Sequence, residues 1–269
     1  MGIDIDKTTF ETADFKAFGK RLEQNLESLQ ALLTRPGFGA GPASIGSEME
    51  MYIVDASGYP LYANEEIEEE AKDTQLTLEL NRYNLEFNLS PYALDQSAFA
   101  KTEAEILAKL QQLRGVAARH GGRIVPIGIL PTLRKTDFGP HCITRRRRYH
   151  ALVEQLIRRR GDKFHIEING DDPLKLELAD ITLEGANTSF QVHYRVTPGN
   201  YADTFNAMQL LTPLAVAISA NSPTLFGHRL WQETRIPLFK QSIDTRHTDR
   251  YGWREPARVS FGQGWARRG

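Results

Sequence analysis

The chain contains one cysteine, no apolar run long enough to span a membrane and no excess of either charge, and each lack excludes a class of protein. Cys142 has no partner for an internal disulfide, so nothing covalent staples the fold. It also has no His-Asp framework beside it, which makes a buried thiol the better reading than a nucleophile. With 33 basic and 34 acidic side chains the net charge is -1, so no broad electrostatic footprint points to nucleic acid or an anionic membrane. Any ligand must be recognised by a local site. The Met1-Gly2 opening resembles a myristoylation signal, but Asp6 stands where serine or threonine is required. Without a leader-like segment the expected location is cytoplasmic.

At 269 residues and 41% apolar content the chain can bury a substantial core. Phe15, Phe18, Leu22, Leu26, Leu29 and Leu33 recur every three or four positions and predict an amphipathic helix over 14–34. Over 43–55 the period changes to two, which predicts a strand with Glu48 and Glu50 on one face and Met49, Met51 and Ile53 on the other. The acidic stretch 64–72 is helical or irregular. Alternation predicts strands at 76–80 and 85–89, separated by Asn81-Arg82 and stopped by Ser90-Pro91. Helices are expected at 97–120, 145–160 and 201–220, and strands at 123–130 and 189–196. The absence of a regular β-α-β period disfavours a doubly wound sheet. An α+β fold is expected, an antiparallel sheet with helices packed on one face. A helical segment over 1–42 precedes a single domain over 43–269.

Glu48, Glu50, Glu79 and Glu86 all fall on the polar faces of strands whose opposite faces are leucine, methionine or phenylalanine. An isolated Glu-x-Glu most often marks a half-solvated strand. Four such carboxylates on one surface would repel one another and raise each other's pKa unless a cation joined them. All-oxygen ligands favour Mg2+ or Mn2+ over zinc. Glu79 and Glu86 are seven apart, an odd number, so a turn or bulge at Asn81-Arg82 is required to bring them to the same face.

In these segments the sequence resembles the glutamate-cysteine ligase family. Gly46-Ser47-Glu48-Met49-Glu50 is similar to the Gly-x-Glu-x-Glu strand that opens that family's catalytic domain, and Leu85-Glu86-Phe87 through Pro91 is similar to its Leu-Glu-Phe-x-x-x-Pro strand. Arg148-Tyr149, Thr188 to His193, and Ala220-Asn221-Ser222-Pro223 followed by Arg235 resemble further family motifs in the same order. The resemblance implies a glutamine synthetase-like fold with a curved antiparallel sheet, here its N-terminal portion and apparently truncated. It implies an ATP- and Mg2+-dependent ligase, with Mn2+ as a possible substitute, that joins a carboxylate such as glutamate to an amine such as cysteine through an acyl phosphate, as in glutathione biosynthesis.

Carried onto this sequence, Glu50, Glu79 and Glu86 would hold one metal ion, and Glu48 with Gln191 a second. Glu48, Glu50 and Glu86 would be catalytic, Gln191 or His193 would meet nucleotide, and Arg235 and Arg148 would bind substrate or phosphate. An impaired fragment that binds nucleotide or glutamate without turnover, and a metal-dependent hydrolase, are the alternative activities. The Arg145 to Arg148 run is expected to be a solvated helix start with one inward arginine, and Trp231, Trp253 and Trp265 to be packing residues.

Overall fold

Alternating apolar and polar residues over Ser44–Val54 give β1, an eleven-residue strand that runs through the centre of the main sheet. A computed structural model describes residues 4–257, 259–260, 262 and 264–267. Along one edge β1 pairs antiparallel with β3 (Asn84–Asn88), which in turn pairs with β2 (Leu76–Leu78). The short β4 (Tyr92–Ala93) continues on that side at the start of β1. Along the other edge β1 pairs with β5 (Arg123–Val125) and, through Ile45 to Met49, with β8 (Phe190–Tyr194). Every one of these pairings is antiparallel.

The period of two decides what lies on each face. Met49, Met51, Ile53, Leu85 and Phe87 point to one side, where α3 (Ala98–Arg119) covers them with Leu110, Leu113, Val116 and Ala117 and α2 (Asn64–Ala71) adds Ile67. Each large apolar side chain buried here stabilises the fold by about 1.5–3 kcal/mol. On the opposite face Tyr52 and Val54 enter a second core with Ile129, Leu130, Ile166, Ile168 and Leu183. The rest of that face carries Glu48, Glu50 and Glu86. One end of it is therefore sealed by core and the other is left polar.

The second core takes Ile166, Ile168 and Leu174 from a hairpin that the sequence pattern did not reveal, β6 (Phe164–Ile168) with β7 (Leu174–Leu178). Asn169-Gly170 between two alternating runs was the available signal. The hairpin packs against α6 (Arg235–Ser242), which was also missed within a segment rich in glycine, proline and arginine. A two-stranded ribbon, β9 (Thr224–Leu225) and β10 (His228–Arg229), precedes α6. The strand expected over 123–130 ends at Val125, because Pro126 has no N–H for the ladder. The carbonyls of Ile127 and Gly128 instead accept from the Thr188 hydroxyl and N–H.

Three further helices differ in how much they bury. In α4 (Arg147–Arg160), Tyr149 and Val153 bury against Leu80, Ile143 and Phe164. Arg145 and Arg146, just ahead of it, pair with Glu65, Glu66 and Glu68, so the arginine run is neutralised by α2 rather than presented as a basic patch. Helix α1 (Thr12–Leu33) forms as its periodicity predicts, yet none of its residues is buried, and Phe18 is 68% exposed. Helix α5 (Tyr201–Ser219) is strongly apolar, with Pro213 inside it, and buries only Ala202. No helix among the described residues is long and apolar enough to cross a membrane. The three tryptophans expected to pack are exposed: Trp231 lies on the surface with its indole N–H donating to the Asn169 carbonyl, and Trp253 and Trp265 are more exposed still.

The two classes of apolar helix face should respond differently to truncation. Leu113→Ala is expected to destabilise the protein by about 2–5 kcal/mol in urea denaturation. Leu22→Ala on α1 should leave the midpoint nearly unchanged. Equal losses would contradict this division of the core.

Candidate active site

Glu50 and Glu86 are directly opposite on paired strands, and Thr77 of β2 is opposite Glu86 on its other side. Glu79 joins them by a route that the strand period alone does not provide. Strand β2 ends at Leu78, and the chain then leaves the sheet to pair with the segment before α4, through an Asn81–Ile143 bridge. Thr144 donates its N–H to the Leu80 carbonyl at 2.8 Å and its hydroxyl to the Glu79 carbonyl, while the Tyr149 hydroxyl donates to the Leu78 carbonyl. Asn64 Nδ2 ties Thr144 to the Asn81 and Asn84 carbonyls. Below the turn, Gly185 is required, since a Cβ there would lie 2.3 Å from Asn81 Nδ2. The required turn is present.

Glu50, Glu79 and Glu86 thus each offer an oxygen, and these three atoms lie within 4.8 Å of one another. Each carboxylate is also held from its flank. Glu50 Oε2 accepts from the N–H and hydroxyl of Ser189. Glu86 Oε1 accepts from Asn88 Nδ2 at 2.7 Å and from the Thr77 hydroxyl at 3.2 Å. Glu79 Oε2 accepts from the Leu80 N–H at 3.3 Å.

Burial is the chief cause that pushes Glu79 up to about 8, with Glu50, Glu86 and Glu184 adding repulsion. Burial likewise lifts Glu50 to about 7; Glu86 and Glu48 raise it further, and the Ser189 hydrogen bonds oppose them. Glu184 rises to about 7 from burial and from Glu50. Carboxylates that are costly to ionise together, in rigid mutual contact, are the electrostatic condition for a cation site.

The remaining expected residues divide. Glu48 lies opposite Gln191, and His193 Nε2 is 3.6 Å from Glu48 Oε1, so these three form a more exposed group beside the cluster. Arg148 stacks on Tyr149 at 4.6 Å and its Nη2 donates to the Leu78 carbonyl, one residue from Glu79. It is the inward arginine of the run. Arg235 lines the same cavity as Glu50, but its guanidinium forks onto Glu233 and its Nη1 donates to the Thr188 carbonyl at 2.6 Å. Burial raises Glu233, but the hydrogen bonds from Arg235 and Ser222 outweigh it and leave the carboxyl below its usual range. Cys142 is fully buried, with burial raising its thiol to about 12, which removes it as a nucleophile.

Glu184 and Ser189 were not anticipated. Glu184 sits in a one-turn 3-10 segment, Thr182–Ala186, where neither a period of two nor one of 3.6 marks a face. Ser189 touches Glu50 mainly because the chain enters β8 there, a tertiary fact.

Residues 44–258 match the family described as Glutamate-cysteine ligase family 2 (GCS2). The chain belongs to that family. The matched segment includes every residue of the carboxylate cluster together with Glu48, Gln191, His193, Arg148 and Arg235. Membership places the protein among ligases of the glutamate-cysteine ligase type. No curated protein matches the sequence.

The carboxylate pKa values predict a pH response of the metal-free protein. The folded state holds protons that the unfolded chain releases near 4.5, so stability should fall as pH rises from about 4.5 to about 8. Thermal melts across that window should show a falling midpoint, and Glu79→Gln should flatten the slope. A midpoint that climbs through the same window would refute the repulsion described here.

Proposed function

We propose that the protein is an ATP- and Mg2+-dependent carboxylate-amine ligase, acting on glutamate or a similar carboxylate and an amine. The observation that carries this is the convergence of Glu50, Glu79 and Glu86 within 4.8 Å in a family of ligases. The donor set suits a hard divalent cation, Mg2+ or Mn2+, because every ligand is oxygen and, among the described residues, no thiol or imidazole joins the cluster. Glu48 and Gln191, opposite each other at the open end, are assigned to a second ion, with His193 toward nucleotide. When bound, the cations neutralise phosphate charge during phosphoryl transfer.

The chain's own contribution is positioning. Ser189, Asn88, Thr77 and the Leu80 N–H hold the carboxylates from the side, which leaves oxygens directed at one shared point without rearrangement. The apolar face behind β1 and β3 makes that arrangement stiff, since any tilt of either strand would disturb a packed core. Arg148, which reaches the Leu78 carbonyl one residue from Glu79, is assigned to phosphate or a substrate carboxylate. Arg235 has its guanidinium paired with Glu233, and it serves first to shape the cavity wall. The antiparallel sheet with its acidic face also supports the glutamine synthetase-like architecture that the family motifs imply.

Purified protein given ATP, Mg2+, glutamate and a panel of amines should release ADP only when an amine is present. Glu50→Gln and Glu86→Gln should each lower the rate by about 10²-fold or more while the fold persists by circular dichroism. Phosphate release that needs no amine would favour hydrolysis instead, and wild-type protein inert toward the whole panel would sink the ligase assignment for this chain.

A further inference from the structure

Helix α1 has 22 residues, carries Gly19 in its interior and buries none of its side chains. A helix that packs on nothing draws little stability from its own chain, and an interior glycine lowers that further. Its apolar stripe is nevertheless continuous: Phe15, Phe18, Leu22, Leu26, Leu29 and Leu33 are each between 46% and 68% exposed. Hydrogen bonds tie the chain to the body on either side of α1. Ahead of it the Asp4 carboxylate accepts from the Arg148 N–H and the Asp6 carbonyl from the Arg147 guanidinium; beyond it Arg195 donates to the Gly39 and Ala40 carbonyls.

A line of charge runs beside the stripe. Lys16, Lys20, Glu23 and Glu27 are spaced by four, three and four, which places them on one flank of the helix. The two bases lie in the N-terminal half and the two acids in the C-terminal half. Like charges four apart are unfavourable within a helix, so α1 gains nothing from this order by itself. None of the four has an ion-pair partner among the described residues.

The sign changes between residues 20 and 23, at the middle of the apolar stripe. When two helices pack antiparallel about a two-fold axis, each flank faces its own copy. With the axis at Leu22, Phe15 meets Leu29, Phe18 meets Leu26 and Leu22 meets itself, while Lys16 comes beside Glu27 and Lys20 beside Glu23 of the other copy. Gly19, where an added Cβ would meet nothing within 4 Å, lets the two backbones approach. A parallel pair would instead set this flank against the other one, where Asp14, Arg21, Asn25 and Ser28 offer no matching order. Helix α5 is also apolar and exposed, but Asp203 is its one charged residue, so it encodes no register.

We propose that α1 is a homodimer interface, an antiparallel helix pair between two copies of this chain in which the apolar stripe is buried and the two charged halves set direction and register. One pair of helices is a small contact, so association is expected at about micromolar concentrations.

Sedimentation velocity from about 1 to 100 μM should show wild-type protein passing from monomer to dimer. Leu22→Asp sets two carboxylates against each other at the axis and should weaken association by about tenfold or more. The double substitutions Lys16→Glu with Lys20→Glu, and Glu23→Lys with Glu27→Lys, should each do the same, since either one makes the flank repel its own copy. An equimolar mixture of these two charge variants is complementary again and should dimerise with about wild-type affinity, a repair that a structural defect would not show. Because α1 buries nothing within its own chain, circular dichroism melts of dilute monomer should match the wild type and separate association from folding. Wild-type protein that stays monomeric across the range would overturn the proposal, and such a monomer binding phosphatidylglycerol vesicles would assign the stripe to a lipid surface instead. A dimer indifferent to Leu22→Asp and to both charge reversals would place the interface elsewhere and overturn it equally.

Discussion

The cross-strand pair of Glu50 and Glu86 is the constraint around which the site is organised. Two carboxylates directly opposite in an antiparallel ladder repel each other, and like charges in that relation destabilise a sheet. The fold nevertheless holds them there and then adds Glu79 from outside the ladder. It can do so because the other face of the same strands is a dense apolar core, where Met49, Met51, Leu85 and Phe87 fix the register. A slip of one residue would turn the methionines toward the acidic face and the glutamates into α3. The stability of one face thus maintains the electrostatic tension of the other.

That tension is localised by the second core. Tyr52 is on the same face as Glu50 and donates its hydroxyl to the Ala186 carbonyl, which anchors the 182–186 turn at the inner end of the site. The same turn carries Glu184 toward Glu50. The hairpin β6–β7 and α6 complete the seal, so the carboxylates are shielded on the side of Tyr52 and open toward Glu48, Gln191 and His193. Burial increases at the Glu79 end and decreases at the Glu48 end, which explains why repulsion and desolvation are felt most by Glu79 and Glu50. A cation entering from the open end would first meet the more hydrated group.

The legible parts of this arrangement were those written in a local period. The alternation of Glu48 with Met49 and of Glu86 with Phe87 specified both the strands and the face on which the acids lie. The odd spacing between Glu79 and Glu86 specified that a turn must intervene. What holds the turn was not legible, because Thr144, Tyr149 and Asn64 come from distant segments and no local period reports that they meet at the 78–84 turn. Glu184 was hidden for the same reason. Arg235 shows a different limit: its residue type and place in a motif suggest a substrate contact, and the structure adds that its guanidinium is engaged by Glu233, two positions away. A motif reports which residue is present, and only the surrounding partners decide whether its charge is available.

The exposed helices bear on how far the site's stiffness extends. Core packing fixes β1, β3 and α3, but α5 buries little more than Ala202, and Ile218 is 90% exposed while bordering the cavity beside Glu50. Regions with few buried apolar contacts open at low free-energy cost. The carboxylate cluster and the α5 wall therefore belong to different mechanical classes. A rigid set of oxygens facing a compliant apolar wall suits a reaction in which the charged groups must be placed closely while the wall adjusts. If α5 were instead held as firmly as α3, the cavity would accept one shape only.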